Sequence, residues 1–345
     1  MPRRPGLLAT VALGALGAVS ALAACSGDDD SHQVFAFGPF NLAAQEELTG
    51  TCVQITLNNS DAIFVNTVEL TTGPGFHHSN WFFVPEHVFA GPDGAFRCVD
   101  RQFDVASAAA VGGVFYAQST QSPHEIQAFP AGMAIPLRPR TKLIAQVHLL
   151  NRSDEALVIT PNIAITKIPE AEVATKLAGI SMEFHPLSLP PRKQSRFTVD
   201  CDLAPLHQMN LARDPDFNVY YTLAHYHQYG TRMLLEALTP SGAASTMYTT
   251  TNSIGDALGG PLTPPFAMPG NTRLRLTCEY YNNTDAYIYY GNGDGEMCVF
   301  LAFSDSAWLW GGGVLDETPD PMSGVDQGGV MTFTRNCQLF TREAY

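Results

Sequence analysis

The chain has 345 residues, of which 33 are acidic and 19 basic, giving a formal net charge of −14. A balance this acidic excludes the phosphate-neutralising surface that nucleic-acid binding needs. With 29 glycines, 24 prolines and 45% hydrophobic residues, the composition suits a globular body built of many short elements joined by turns.

The first element in chain order is a leader. Pro2-Arg3-Arg4-Pro5 is a short basic head, and Gly6 to Ala24 is an apolar run rich in Ala, Leu and Gly, the pattern of an export signal. A spanning helix needs about 20 strongly apolar residues. This run is diluted with small ones and ends in Leu22-Ala23-Ala24-Cys25, which resembles a bacterial lipobox. The resemblance implies a signal over residues 1–24, lipidation of Cys25 and a polar tether over 25–33. The protein is then expected to be an exported, membrane-anchored lipoprotein, in the periplasm or outer membrane or at the cell surface. Removing Arg3 and Arg4 leaves 17 basic residues against 33 acidic ones.

Past the tether, β-branched or alternating apolar runs bounded by Gly, Pro, Asn and Asp recur at Val53–Leu57, Ile63–Leu70, Lys142–Leu150, Leu157–Ile168, Phe197–Leu203, Val219–Gln228, Thr272–Tyr281 and Met297–Phe303. They read as strands. Pro169–Leu177 alone looks helical, and Gly311–Gly329, glycine-rich and acidic, reads as a loop. Pro190-Pro191 cannot continue a central strand, so a junction is placed between Pro169 and Pro191. The expected fold is all-β, with two tandem antiparallel β-sandwich domains of jelly-roll type over 34–175 and 176–345. Without Cys25, six cysteines remain, Cys52, Cys98, Cys201, Cys278, Cys298 and Cys337. An even number in an exported chain reads as three disulfides.

Five of the ten histidines fall in three clusters: His77-His78, Gln146-Val147-His148 and His225-Tyr226-His227. Residues i and i+2 of a strand share a face, so His225 and His227 can address one metal while Tyr226 packs the other way. Singly, each cluster is a weak signal, and Met297 alone reads as a gap-filling core methionine. His32, His87, His124, His185 and His207 are read as surface or structural residues. No GxSxG elbow, HExxH, CxxC pair or glycine-rich phosphate loop is present.

The order His-His, Gln-Val-His, His-x-His, Gly295-Glu296-Met297-Cys298, at intervals of 70, 77 and 70 residues, resembles the copper-site pattern of the peptidylglycine and dopamine-type monooxygenases. The likeness runs from Cys52 to Cys337 and includes Gly230, Leu276-Thr277-Cys278-Glu279-Tyr280 and the placement of the cysteines. It implies one copper on His77, His78 and His148 for electron relay, and a second on His225, His227 and Met297 as the catalytic, oxygen-activating centre. Ascorbate or a similar reductant would supply electrons, and a small organic substrate would be hydroxylated by dioxygen at a C–H bond. The cysteine pairs suggested with it are Cys52 with Cys98, Cys201 with Cys337, and Cys278 with Cys298. Two other readings stand beside this one. One is a non-enzymatic lipoprotein that stores or delivers copper. The other is a sandwich scaffold alone, surviving as an adhesion or envelope module.

Alternation puts Leu223 on the face of His225, and Val299 and Leu301 on that of Met297, so these three are expected near the second copper. In the amidating branch of the family the matching places carry an arginine, an asparagine and a tyrosine that hold a peptide carboxylate. Aliphatic residues here imply a neutral or weakly polar substrate with an apolar or aromatic body, unless a basic residue from elsewhere, such as Arg232, supplies the missing charge.

Overall fold

Alternation along the strands decides the layers. In Gln194–Asp202, Ser195, Phe197, Val199 and Cys201 are buried while Arg196, Thr198 and Asp200 are not, the period of two expected of a strand with one covered face. The inward set packs against the opposite sheet, where the ring of Phe184 meets that of Phe197 edge-on with centroids 5.3 Å apart. The computed structural model describes residues 31–344 apart from 120, 292, 317 and 320. The leader, Cys25 and most of the tether lie outside the described residues.

The molecule is two β-sandwiches in tandem. In the first, one sheet runs Gly94–Arg97, Glu47–Thr56, Thr141–Leu150, Phe76–Pro85, Gly113–Ala117 in spatial order, and a second is centred on Ile63–Thr71. The two share an apolar core that includes Val53, Trp81 and Val147 from one sheet and Val68, Leu70 and Ile163 from the other. In the second sandwich, one sheet runs Gly259–Ala267, Asn218–His225, Val299–Ser304, Ala178–Phe184, Trp308–Val314, Gln338–Glu343. It covers a sheet built around Gln194–Asp202 and Arg273–Tyr281. Most neighbours pair antiparallel, with parallel pairs at Ala178–Phe184 beside Trp308–Val314 and Gln194–Asp202 beside Val330–Asn336.

Sheet membership changes between Lys176 and Ala178, yet the halves are not independent. Tyr221, Leu223, Leu301 and Phe303, on two strands of the second half, are buried in the core of the first. Ser31–Tyr345 therefore forms one compact unit. All three disulfides pair as expected, Cys52–Cys98, Cys201–Cys337 and Cys278–Cys298, with Cα–Cα distances of 5.1, 5.0 and 6.0 Å.

Several local expectations are corrected. His32–Ala36 is a strand paired with Asn162–Lys167, so the sandwich takes in residues expected in the tether. Pro169–Leu177 holds one 3-10 turn, Glu170–Glu172, and the short strand Thr175–Lys176, because sheet pairing with Met133–Leu137 outweighs a weak helical preference. Two helices were not foreseen, Val105–Val111 and Ala204–Leu211. The first carries no amphipathic pattern in its sequence VASAAAV, whereas Pro205 in the first turn marks the second. The stretch from Gly311 is no loop at its start, since it continues the strand Trp308–Val314. A Cβ at Gly311 would strike the ring of Phe340 on the neighbouring strand, so glycine there serves close packing rather than a turn.

Candidate metal centre

His77 and His78 are consecutive on Phe76–Pro85, and neighbours on a strand ordinarily point to opposite faces. Here the register with Thr141–Leu150 pairs His148 with His78 and Leu149 with Phe76, leaving His77 as the extra residue of a β-bulge. A bulge re-aims a side chain at little cost to the ladder. All three imidazoles are buried, and their ligand atoms lie within 4.8 Å of one another. The Nδ1 atoms of His77 and His78 are 2.8 Å apart. Two nitrogens on one metal, each at about 2.0 Å, sit at such a spacing.

His225 is the last residue of Asn218–His225. Tyr226 turns the other way into the second-half core, its hydroxyl donating to the Asn252 carbonyl. His227 lies just beyond the strand, in a turn closed by the Gly230 amide donating to its carbonyl at 3.1 Å. The Tyr226 ring fills the space that a Cβ at Gly230 would need. The ligand atoms of His78, His225 and His227 also fall within 4.8 Å. His78 thus belongs to both groups, with ring centroids 5.1 Å from His148 and 4.8 Å from His225. Two separate centres were expected, and the structure has one contiguous cluster of five histidines. The cause is the shared core: burying Leu223 and Tyr221 in the first half draws the end of their strand against His78.

The outward nitrogens are pinned. His148 Nε2 is 2.8 Å from Glu47 Oε1, His227 Nδ1 is 3.0 Å from the Gly295 carbonyl, and His225 Nδ1 is 3.2 Å from the Gln118 carbonyl. His148 Nδ1 and His227 Nε2 are then left buried with no hydrogen-bond partner among the described residues. A carboxylate or carbonyl on one nitrogen and an open second nitrogen is the arrangement of a metal-ligating histidine. Burial, reinforced by the other imidazoles, lowers His77 to about 2 and His225 to about 3, and burial lowers His227 to about 4. The rings are neutral near pH 7, as ligation requires.

Met297 and Cys298 precede the strand Val299–Ser304 rather than lying on it. Their segment is fixed by the Cys278–Cys298 bridge, by the Tyr280 hydroxyl donating to the Met297 carbonyl at 2.7 Å, and by Glu296. That fully buried carboxyl accepts the amides of His227, of Met297 at 2.8 Å and of Tyr229 at 3.0 Å. Burial pushes it up to about 8 against the pull of these donors. One side chain therefore ties His227 to Met297.

Two cavities flank the cluster. One, of about 420 Å³, is lined by His78, His148 and Met297 and walled by Phe82, Phe103, Val299 and Leu301. Leu223 does not line it, being buried in the first-half core. No Lys or Arg is among its described lining residues, and Arg232 lies on Gly230–Leu238, 3.7 Å from Glu279. His185, expected to be structural, does line it, its Nε2 2.6 Å from Glu183 and its ring centroid 4.6 Å from that of Tyr290. The Glu-x-His spacing, with Glu183 on Ala178–Phe184 and His185 just beyond it, was the available signal. The second cavity, about 690 Å³, is an open cleft with His77 and His227 in its lining.

Glu47, Gln118, Gly295 and Glu296 were not singled out from sequence for what they hold. Glu296 adjoins Met297, but Glu47 and Gln118 act across 101 and 107 residues and carry no local signature.

No protein-family model matches the chain, and no curated protein matches it. Among solved structures, the chain is similar to the major capsid protein P2 of bacteriophage PM2, with 7% identity, 79% of this chain and 97% of that one covered, and a TM-score of 0.33. It is also similar to the PBSX exported protein XepA, with 9% identity, 79% and 86% covered, and a TM-score of 0.20.

Proposed function

We propose that the chain is a copper- and dioxygen-dependent monooxygenase that hydroxylates a C–H bond of a small organic molecule, with electrons from ascorbate or a similar reductant. The observation that carries this reading is the convergence of five buried, neutral imidazoles, three of them with a nitrogen pinned by a carboxylate or carbonyl, beside a methionine that lines an apolar cavity. His77, His78 and His148 would hold one copper, and His225, His227 and Met297 a second. When bound, copper supplies one-electron transfer and dioxygen activation, imidazoles suiting both its oxidation states and the thioether favouring Cu(I).

The chain's own residues do the rest. Glu47 and the carbonyls of Gln118 and Gly295 set the tautomer and direction of three rings. Glu296 holds the His227 turn and the Met297 segment in one geometry. Val299, Leu301, Phe82 and Phe103 exclude water from the reacting face and bury an apolar substrate body at about 25 cal/mol per Å². A carboxylate would lose its hydration there and meet no cation, at a cost of several kcal/mol, so a glycine-extended peptide is a poor substrate. Lipidation of Cys25 and anchoring at an envelope membrane belong to the same proposal.

Copper content of the purified mature protein, measured by atomic absorption, tests it. Two ions per chain are expected in the wild type and one in Met297→Ala or His148→Ala; no uptake by the wild type would overturn the reading. The sharing of His78 favours a second reading, a non-enzymatic protein that stores or delivers copper on the five-histidine cluster. Oxygen consumption with ascorbate and 2-phenylethylamine or 2-phenylethanol separates the two.

A further inference from the structure

We propose that a small cavity bordered by Arg342, Leu309 and Gly179 is a head-group subsite for a carboxylate, and that with the larger apolar cavity it takes one amphiphile, an alkyl or arylalkyl chain ending in that carboxylate. That such a ligand is the substrate rests on the oxygenase reading above; that it binds does not.

The two cavities are continuous. The small one, of about 200 Å³, and the apolar one, of about 420 Å³, share Ala109, Val114, Ser181 and Phe340 in their linings. Residues two apart on a strand share a face, and two strands carry such a face from one cavity into the next. On Ala178–Phe184, Gly179 and Ser181 line the small cavity, and Ser181 and Glu183 the large one. On Gln338–Glu343, Phe340 lines both, whereas Arg342 lines the small one alone. A Cβ at Gly179 would meet its nearest atoms at 3.7 Å, an ordinary contact. The space beside this glycine is therefore cavity, not close packing.

Arg342 brings a cation with no counter-charge. Its Nη1 donates to the Val111 carbonyl at 2.7 Å and its Nη2 to the Gly112 carbonyl, at the end of the helix Val105–Val111. These contacts cap the helix. The Nε atom, however, is buried with no hydrogen-bond partner among the described residues. Nor does a described carboxylate act on the guanidinium: burial, and then the like charge of Arg138, hold it below its ordinary value. A helix cap needs neither a buried spare donor nor an unpaired charge, and both are costly. A carboxylate supplies the acceptor and the counter-charge together, through the Nε side of the fork.

The walls define the rest of the ligand. Val114, Leu309 and Phe340 border the small cavity, and Phe82, Phe103 and Leu301 the large one, so the chain behind the carboxylate is apolar. A carboxylate beside the reacting carbon meets no cation, but one at the far end of such a chain does. Hydroxylation then falls on the end remote from the carboxylate. One atom of dioxygen enters that C–H bond, and the other leaves as water with two electrons and two protons from the reductant.

The test titrates decanoate, decanol and 2-phenylethanol into the metal-free mature protein by calorimetry. Arg342→Gln is expected to weaken decanoate binding tenfold or more and decanol binding less than twofold. Gly179→Leu fills the small cavity and leaves Arg342 and its carbonyl partners in place. It is expected to weaken both decanoate and decanol tenfold or more and 2-phenylethanol, which needs only the larger cavity, less than twofold; it decides the question if Arg342→Gln fails to fold. Val299→Phe, which narrows the apolar cavity, should weaken all three. No decanoate binding by the wild type, equal losses of decanoate and decanol in Arg342→Gln, or decanoate binding unchanged by Gly179→Leu would overturn the proposal. The expected binding pattern in a copper-loaded protein that consumes no oxygen would sink the oxygenase reading and leave the subsite standing.

Discussion

The first half of the molecule sets its candidate ligands inside one sheet, whereas the second half sets all but one of its own, His225, on chain that has just left, or not yet entered, a strand. His77, His78 and His148 sit on two hydrogen-bonded strands, and a single bulge aims them together. His227 and Met297 lie outside strands and owe their places to Glu296, a disulfide and backbone carbonyls. A ladder of backbone bonds resists displacement collectively, while a turn held by one carboxyl gives way when that carboxyl is changed. The difference assigns rigidity to the first group and adjustability to the second, where, on the proposed function, a thioether would serve a metal of changing oxidation state.

The largest effect tests whether both groups are needed. Met297→Ala and His225→Ala should lower ascorbate-dependent oxygen turnover by more than about 100-fold, a loss of roughly 3 kcal/mol, with circular dichroism unchanged. Either variant keeping full turnover would break the comparison, because the second group would then be dispensable.

Disulfides probe the same contrast through stability. Loop closure predicts about 5 kcal/mol for Cys201–Cys337, about 4 for Cys52–Cys98 and about 3 for Cys278–Cys298, from sequence separations of 136, 46 and 20. Paired Cys→Ser variants should lose denaturation midpoint in that order. The Cys278/Cys298 variant alone should lose the copper assigned to the second group, since that bridge adjoins Met297.

A first-half carboxyl supports the second-half residue His225, and pH exposes it. Glu125 bonds the Ser119 hydroxyl at 2.6 Å and amide at 2.8 Å, and that hydroxyl accepts the Leu258 amide at 2.8 Å. Gln118, next in the chain, gives its carbonyl to His225. Burial raises Glu125 from 4.5 to about 7, its charge facing Tyr116, Tyr221 and Tyr248. A raised folded-state value favours the protonated native form, so this stability is fully present below about pH 4.5 and is lost as pH rises through about 7. The loss amounts to about 3 kcal/mol. Urea titrations between pH 4.5 and 8 should show that decline in the wild type and not in Glu125→Gln; parallel curves would contradict it.

Two carboxyl variants give the smallest changes in stability, and Glu296→Gln the larger of them. It keeps one acceptor oxygen but leaves buried amides of the His227 turn or the Met297 segment unmet, at about 1–3 kcal/mol. The matching first-half variant, Glu47→Gln, acts on a half-exposed side chain and should cost less. Denaturation midpoints of the two proteins measure the asymmetry directly, and equal losses would remove it.

Strand periodicity made the layers legible, because Phe197–Leu203 or Thr272–Tyr281 has one buried face whatever its partner. The five histidines that cluster were legible from motif order. The bulge at His77 was not, since nothing in Phe76-His77-His78 says which residue goes unpaired. Nor was the merging of the two groups, which depends on Tyr221, Leu223, Leu301 and Phe303 burying their side chains in the other half's core. Alternation placed Leu223 beside His225 correctly on one face, but Leu223 is covered by the first-half core, and the cavity is met on the neighbouring strand, at Val299 and Leu301.

Insertion of oxygen into a C–H bond at this centre is the step on which the proposed function turns. Its most direct test is turnover of the copper-loaded protein with ascorbate, 2-phenylethylamine or 2-phenylethanol, and ¹⁸O-labelled dioxygen, read by mass spectrometry. One labelled oxygen atom per hydroxylated product, absent from metal-free protein and from Met297→Ala, is the predicted result. Copper-loaded protein that oxidises ascorbate but leaves every product unlabelled would contradict the claim.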